Sequence, residues 1–299
     1  MSKSKLKSAL FSINECIKEL SVYSHASKAD TRHILNRCIK DLHEQGFMVA
    51  HVKGLKSKHI QVLVEHWKKQ GKNPATIKNY MSKLRKLSIW LNKPEIIKPS
   101  NDYYQIDNRN YVPTYNKAIT NIDFSKCENP MIRLSLEAQY LFGLRREESM
   151  KLVISEAWFG ERLILKSSWT KGGIGRAIDI TSKEQKEWLE KTIKQISPGH
   201  SLIPKNKTYK QYLRQYQTEI EKLGLKNCHG LRHAYAQRRY HDLTRQLSPD
   251  KQPFECPIEG GKTSKYLSQS EKAIDREARE IISRDLGHSR VSITKTYLG

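Results

Sequence analysis

Four short segments, far apart along the chain, carry residues whose types could act together on a phosphate ester. Arg145 and Glu148 stand in GLRREE, and Lys171 in WTKGG. His229, Arg232 and His233 stand in HGLRHAYA, and His288 and Tyr297 in LGHSRVSITKTYLG. Each segment alone has a plain structural explanation. Arg145 after an apolar helix could cap its C-terminus, and Glu148 three residues on could form an ordinary helical ion pair with it. Lys171 in a glycine-rich turn reads as a surface lysine. His229 to His233 could be the first turn of a helix, and a tyrosine near the end of a sequence is usually packing. As a set they suit attack by an oxygen nucleophile on a phosphodiester. Paired arginines grip phosphate oxygens bidentately, histidines move protons, and a tyrosine can hold a covalent intermediate.

Most elements needed to position this set are helical. Leu6, Leu10, Ile13 and Ile17 recur at helical spacing. Further helices are expected over about 29–44, 57–70 and 76–91, the last behind Asn73 as N-cap with Pro74 at the first helical position. That helix places Ile77, Tyr80, Leu84, Leu87 and Leu91 on one face and Lys78, Lys83, Arg85 and Lys86 on the other. No acid lies between residues 66 and 94, so the basic face is read as a phosphate-contacting surface rather than a merely solvated one. Periodicity disappears over 93–115, which holds Pro94, Pro99 and Pro113 and reads as a linker. Beyond it, helices are expected at about 131–142, 183–196 and 207–223. Strands at about 162–166 and 176–180 flank the Gly172-Gly173 turn as a hairpin. The expected organisation is a helical DNA-binding domain over 1–92, the linker, and a catalytic domain over 116–299. The class is α+β, mainly helical with a small antiparallel sheet.

Composition narrows the partners. The 299 residues carry 54 Lys+Arg against 31 Asp+Glu, a formal net charge of +23. Residues 1–100 alone hold 20 basic and 7 acidic side chains. So large an excess of one sign calls for a polyanion, and nucleic acid is the first candidate. No apolar run approaches the ~18 residues of a spanning helix, and the basic start MSKSKLKSALFSI is too short in apolar residues for a signal peptide. The expectation is therefore a cytoplasmic protein with no membrane partner. The five cysteines are odd in number and scattered without a CxxC pair, so they read as reduced thiols rather than disulfides or zinc ligands. No metal and no cofactor are expected.

The order Arg, Lys, His-x-x-Arg, His, Tyr resembles the catalytic signature of the tyrosine site-specific recombinases, the phage integrase family. GLRREE resembles the family's TGLRxxEL box, and TKGG in a hairpin turn resembles its lysine hairpin. HGLRHAYA matches HxLRHxxA, and LGHSRVSITKTYLG matches LGHxxxxxTxxY, with Tyr297 nine residues after His288. The stretch NPATIKNYMSKLRKLSIWL resembles the last helix of the family's N-terminal core-binding domain. The resemblance spans about 57–299. It implies a two-domain clamp around double-stranded DNA and a homotetramer on two DNA sites. An accessory DNA-bending or directionality protein is a further implied partner. The resemblance to a family of bacterial recombinases also implies a bacterial protein, associated with the nucleoid when active.

It also implies roles, and elementary chemistry agrees with them. Arg145 and Arg232 would stabilise the charge that builds on the non-bridging oxygens, with His288 adding a hydrogen bond. Tyr297 would attack and leave a 3′-phosphotyrosyl link. A phenol is ordinarily protonated at neutral pH, so His229 would accept its proton. Lys171 would protonate the departing 5′ oxygen, while Glu148 and His233 orient the arginines and the phosphate. A metal is not needed for this chemistry.

Two features depart from the family pattern. Arg232 and His288 are 56 positions apart, longer than usual, and the excess falls at about 243–272. This reads as an inserted loop able to leave the domain surface and contact an adjacent protomer. Only Leu298 and Gly299 follow Tyr297 in this sequence, and Phe142 replaces the common threonine of the first box. The function expected is integration or excision of a phage or mobile element. The alternatives are a chromosome-dimer resolvase, a DNA-binding regulator with a decayed site, and a type IB topoisomerase.

Overall fold

The computed structural model describes residues 2–19, 24–108 and 110–299. It divides into two compact units, 1–110 and 111–299. The first unit is built on α1 (Ser2–Lys18), α2 (His25–Glu44), α3 (Ser57–Lys69) and α4 (Pro74–Trp90). Of the apolar stripes read from the sequence, Ile13, Ile17, Ile77, Leu84 and Leu87 are buried in its core, Leu6, Leu10, Tyr80 and Leu91 pack partly buried against it, and Leu35, Leu42, Leu63, Trp67 and Met81 complete it. Asn73 caps α4 through a bond from the Ala75 N–H, with Pro74 in the first turn. A buried carboxylate fixes the helices to one another. Asp41 accepts from the Trp67 indole at 2.7 Å and pairs with Arg37 at 2.6 Å.

Part of the segment read as a linker packs on the first unit. Two short 3-10 turns, Pro94–Ile96 and Asp102–Tyr104, bring Ile96, Ile97, Tyr104 and Ile106 into the first unit. The prolines abolish helical periodicity without removing the apolar side chains that dock. Position 109 of that segment lies outside the described residues.

In the second unit, α5 (Pro130–Phe142) and α6 (Arg146–Lys151) lead through α7 (Ile154–Ala157) into a three-stranded antiparallel sheet. Its order is β1 (Trp158–Phe159), β2 (Arg162–Leu165), β3 (Arg176–Asp179), with Leu163 opposite Ile178. The expected hairpin is β2–β3; the two-residue β1 is too short to show a period. Then come α8 (Lys183–Gln195), α9 (Tyr209–Lys222), α10 (His229–Leu247), α11 (Gln269–Asp285) and α12 (Lys295–Leu298). The caps are legible as sequence: Ser182 with Gln185, Thr208 with Gln211 and Ser268 with Glu271 each form a capping box. The fold is mostly helical with one small sheet, as expected.

The excess between Arg232 and His288 does not leave the surface as a free loop. Its ends extend α10 and begin α11, and the middle folds back on its own unit. Cys256 is fully buried, Phe254 packs on the same core and its N–H donates to the Thr244 hydroxyl at 2.9 Å. Gly299 abuts Pro257 and Ile258, where a side chain would collide. Apolar residues at 254, 256, 258 and 267 explain this, since a free loop would leave them in water.

Candidate active site

Tyr297, on the four-residue α12, is only 4% exposed. Its hydroxyl lies 3.2 Å from Nε2 of His288 and 3.3 Å from Nε of Arg232. The rings of His233, His288 and His229 surround the phenol at centroid separations of 4.7, 5.7 and 6.0 Å. Five of the residues singled out from sequence, spread over 69 positions, thus meet around one phenol, and two of them, Arg232 and His288, reach its oxygen.

Arg232 is 1% exposed. Its guanidinium also donates to the carbonyls of Gly143, just after α5, and Leu286, just after α11. The fold itself therefore holds it in one place. Burial, with Arg145 and Arg176 nearby, lowers its pKa to about 10, so it remains a cation at neutral pH. Gly143 has φ +61°, and a Cβ there would lie 2.4 Å from Tyr235. Only glycine lets this carbonyl reach the arginine.

Arg145 sits at the N-terminus of α6, where Glu148 accepts both its backbone N–H (2.8 Å) and its Nη1 (2.7 Å). Glu148 is fully buried and accepts two more bonds from Arg176 at 3.1 and 2.7 Å. Burial would raise its pKa, but the hydrogen bonds and charge of Arg176 and Arg145 overcome this and hold it at about 2. Arg176 in turn donates to the Asp285 carbonyl at 2.6 Å. It lies against Gly287, at φ +63°, immediately before His288. One buried carboxylate therefore ties together the first arginine, the strand after the lysine hairpin and the turn carrying His288.

Arg176 was not singled out from sequence. The signal was present, because β3 alternates and puts Arg176 on the same face as the buried Ile178. A charged residue on an inward face needs a buried partner.

Lys171 lies exposed in the β2–β3 turn. It lines a cavity of about 350 Å³ together with Arg145, Arg146, His229 and Arg232. His229 opens α10, and burial with the charge of Arg232 lowers its pKa below 6.5. The same causes bring His288 to about 4, while burial and His229 bring His233 to about 4. All three are neutral at pH 7 and can accept a proton. The acceptor nearest the Tyr297 hydroxyl here is His288, whereas the sequence reading favoured His229.

The four basic residues of α4 are differently placed. Lys83 pairs with Asp30 at 2.8 Å and donates to Thr31, and Arg85 donates to the Lys98 carbonyl and to Asn101. Lys78 is on the surface beside Asn108, and Lys86 is half-buried. The face read as phosphate-contacting is partly spent on holding the 98–108 segment. Among the described residues, one group, Asp41, Glu44 and His66 of the first unit, approaches metal-ligand geometry, and Asp41 is already engaged by Arg37 and Trp67. No helix of the described residues is long and apolar enough to cross a membrane.

Residues 7–95 match the family profile described as "Phage integrase, N-terminal", and residues 113–238 that described as "Integrase". The chain belongs to the phage integrase family of tyrosine site-specific recombinases. No curated protein matches the sequence closely. Among solved structures, the Tn1549 transposon integrase in complex with a circular-intermediate DNA is 13% identical, with a TM-score of 0.53 over 97% of this chain and 94% of that one. The XerH recombinase in a post-cleavage complex with a palindromic difH substrate is 16% identical, with a TM-score of 0.53 over 100% and 89%. The lambda integrase tetramer bound to a Holliday junction is 18% identical, with a TM-score of 0.50 over 86% and 78%. At these identities the likeness is one of fold.

Proposed function

We propose that this protein cuts and rejoins double-stranded DNA through a 3′-phosphotyrosyl link at Tyr297, in the integration or excision of a phage or mobile element. The observation that carries the proposal is the convergence of Arg232 and His288 on the Tyr297 hydroxyl, with Arg145 and Lys171 lining the adjoining cavity. A phosphodiester entering that cavity meets Arg145 and Arg232 with its non-bridging oxygens, and His288 adds a third donor. It then competes with the phenol for Arg232 and His288. The phenol turns toward its other neighbours, where neutral His229 takes its proton as the oxygen attacks phosphorus. The P–O5′ bond breaks, and Lys171 protonates the leaving oxygen. The reverse steps reseal the strand with no net loss of a phosphodiester bond. Glu148 keeps Arg145 aligned, and His233 packs against both His229 and the phenol.

The excess of basic residues in the first unit supports its part as a DNA-holding domain, with Lys78, Lys83, Arg85 and Lys86 of α4 toward the backbone. Strand exchange needs two sites, so the assembly proposed is a homotetramer. An accessory bending or directionality protein is the partner that would choose between integration and excision. The working place of such a protein is the bacterial cytoplasm.

Recombination between two cognate sites on one plasmid, scored beside relaxation of supercoils, tests this reading. The expected result is exchange products that require both sites. Relaxation of any supercoiled plasmid without exchange would mean a topoisomerase instead.

The role of Lys171 has its own test. Lys171→Ala should slow cleavage of ordinary DNA by about 10²-fold or more, the usual scale for a positioned acid. A 5′-bridging phosphorothiolate leaves without a proton, so the variant should cleave that substrate at nearly the wild-type rate. Equal defects on both substrates would remove Lys171 from that step.

A further inference from the structure

We infer that Gln237 and Asn116 form a clamp on the main chain of Tyr297, so that the segment entering the second unit sets the position of the nucleophile. The inference rests on Tyr297 being that nucleophile. Gln237 lies on α10 one helical turn beyond His233 and two beyond His229, on the face turned to the phenol, and is 3% exposed. Its Nε2 has two hydrogens, and both are used. One goes to the Tyr297 carbonyl at 3.0 Å and the other to Oδ1 of Asn116 at 2.9 Å. Its Oε1 accepts from Nδ2 of Asn116 at 3.2 Å. Asn116 Oδ1 also accepts the Ala118 N–H at 2.9 Å, which fixes the orientation of both amides. One residue on, the Ile119 N–H donates to the Gly230 carbonyl at 3.0 Å and stitches the same segment to the start of α10.

The clamp matters because α12 cannot hold itself. A helix of four residues gains too little from its own hydrogen bonds to be stable, and its last carbonyls have no partner within it. The phenol end is held by Arg232 and His288, the same groups a phosphate must take over. Once they turn to the substrate, the link from Gln237 to the Tyr297 carbonyl still fixes the main chain. Gln237 and Asn116 are thus positioning residues: they touch the backbone of the nucleophile and not the reacting atoms. A shift of about 1 Å in such a group can cost on the order of 10²-fold in rate.

The test measures single-turnover adduct formation on a nicked suicide site at saturating DNA, well below the thermal midpoint of each variant, from pH 6 to pH 8.5. Gln237→Leu keeps the volume and removes both donors. It should lower the rate about 10- to 100-fold at every pH, with DNA affinity within about twofold of wild type. Gln237→Glu, when ionised, faces two oxygens with no hydrogen to give. Protonated, it regains one donor for the Tyr297 carbonyl, so its rate relative to wild type should climb as pH falls, while that of Gln237→Leu stays flat. Asn116→Ala, at an exposed position, should give a severalfold loss, and adding it to Gln237→Leu should cost little more. Wild-type rates in Gln237→Leu, or equal losses in the Leu and Glu variants at every pH, would overturn the clamp. If the wild type itself forms no adduct, the proposed function fails instead, so the two failures are distinguishable.

Discussion

Tyr297→Phe is expected to abolish covalent protein–DNA adducts while leaving DNA affinity and fold almost unchanged. The substitution removes one oxygen and keeps the ring that packs among His229, His233 and His288. Among the described residues the lost hydroxyl hydrogen-bonds to His288 and Arg232, and Arg232 keeps the Gly143 and Leu286 carbonyls. The stability cost should be about 1 kcal/mol, the ordinary net worth of one hydrogen bond. Freed from the phenol, Arg232 and His288 become more available to a phosphate, so affinity should not fall. Adduct yield on a nicked suicide site and a filter-binding titration, run together, check both halves. Adduct at the wild-type level would place the nucleophile elsewhere. Loss of binding in parallel with cleavage would make Tyr297 a structural residue.

Glu148→Gln should produce the largest combined loss of stability and activity outside the nucleophile. The carboxylate is fully buried and is the common acceptor of Arg145 and Arg176. An amide of the same shape turns an N–H₂ toward a guanidinium and leaves Arg176, itself buried, without its anion. Breaking a buried pair in this way costs roughly 3–5 kcal/mol, which in a unit of about 190 residues lowers the thermal midpoint by on the order of 10 °C. The pH dependence follows from the carboxyl being held at about 2 instead of its usual 4.5. Its folded-state pKa is depressed, so the stabilisation is fully present above pH 4.5 and is lost as pH falls from there toward 2. It amounts to about 3 kcal/mol at the usual 1.4 kcal/mol per pKa unit. Wild type should lose more midpoint over that window than Glu148→Gln, since Glu184, Glu219 and Glu271, also held below the usual carboxyl range by their hydrogen bonds, titrate there in both. Arg145, losing its aligning bond, should also cleave more slowly in the variant at temperatures where it is folded. An unchanged midpoint would mean that the two arginines find other partners.

The residues of the candidate site were more legible in the sequence than the connections that hold them. Arg145, Arg232, His288 and Tyr297 were legible because phosphoryl chemistry limits which side chains can serve, and their local spacings are distinctive. The helices were legible because apolar residues recur at 3.6-residue spacing and Ser182, Thr208 and Ser268 announce their starts. Arg176 and Gln237 were not read, because each answers a partner more than 25 positions away, Glu148 and the Tyr297 carbonyl. Nothing local marks such a pairing apart from a polar group on an inward face. The 254–267 stretch failed in the opposite direction: its prolines and glycines read as a free loop, while four scattered apolar side chains were enough to bring it back onto α10 and α12. The split of α4's basic face between surface and interior likewise depends on where residues 98–108 pass, which no helical period reports.

The most direct measurement is the identity of the residue joined to DNA. A wild-type complex trapped on a nicked suicide site, digested with protease and nuclease and read by mass spectrometry, should yield one nucleotide-linked peptide. The link should lie at Tyr297, through the 3′ phosphate of the cut strand, with a free 5′ hydroxyl on the released end. A link at any other residue, a 5′ linkage, or cleaved DNA with no linked peptide would contradict the account.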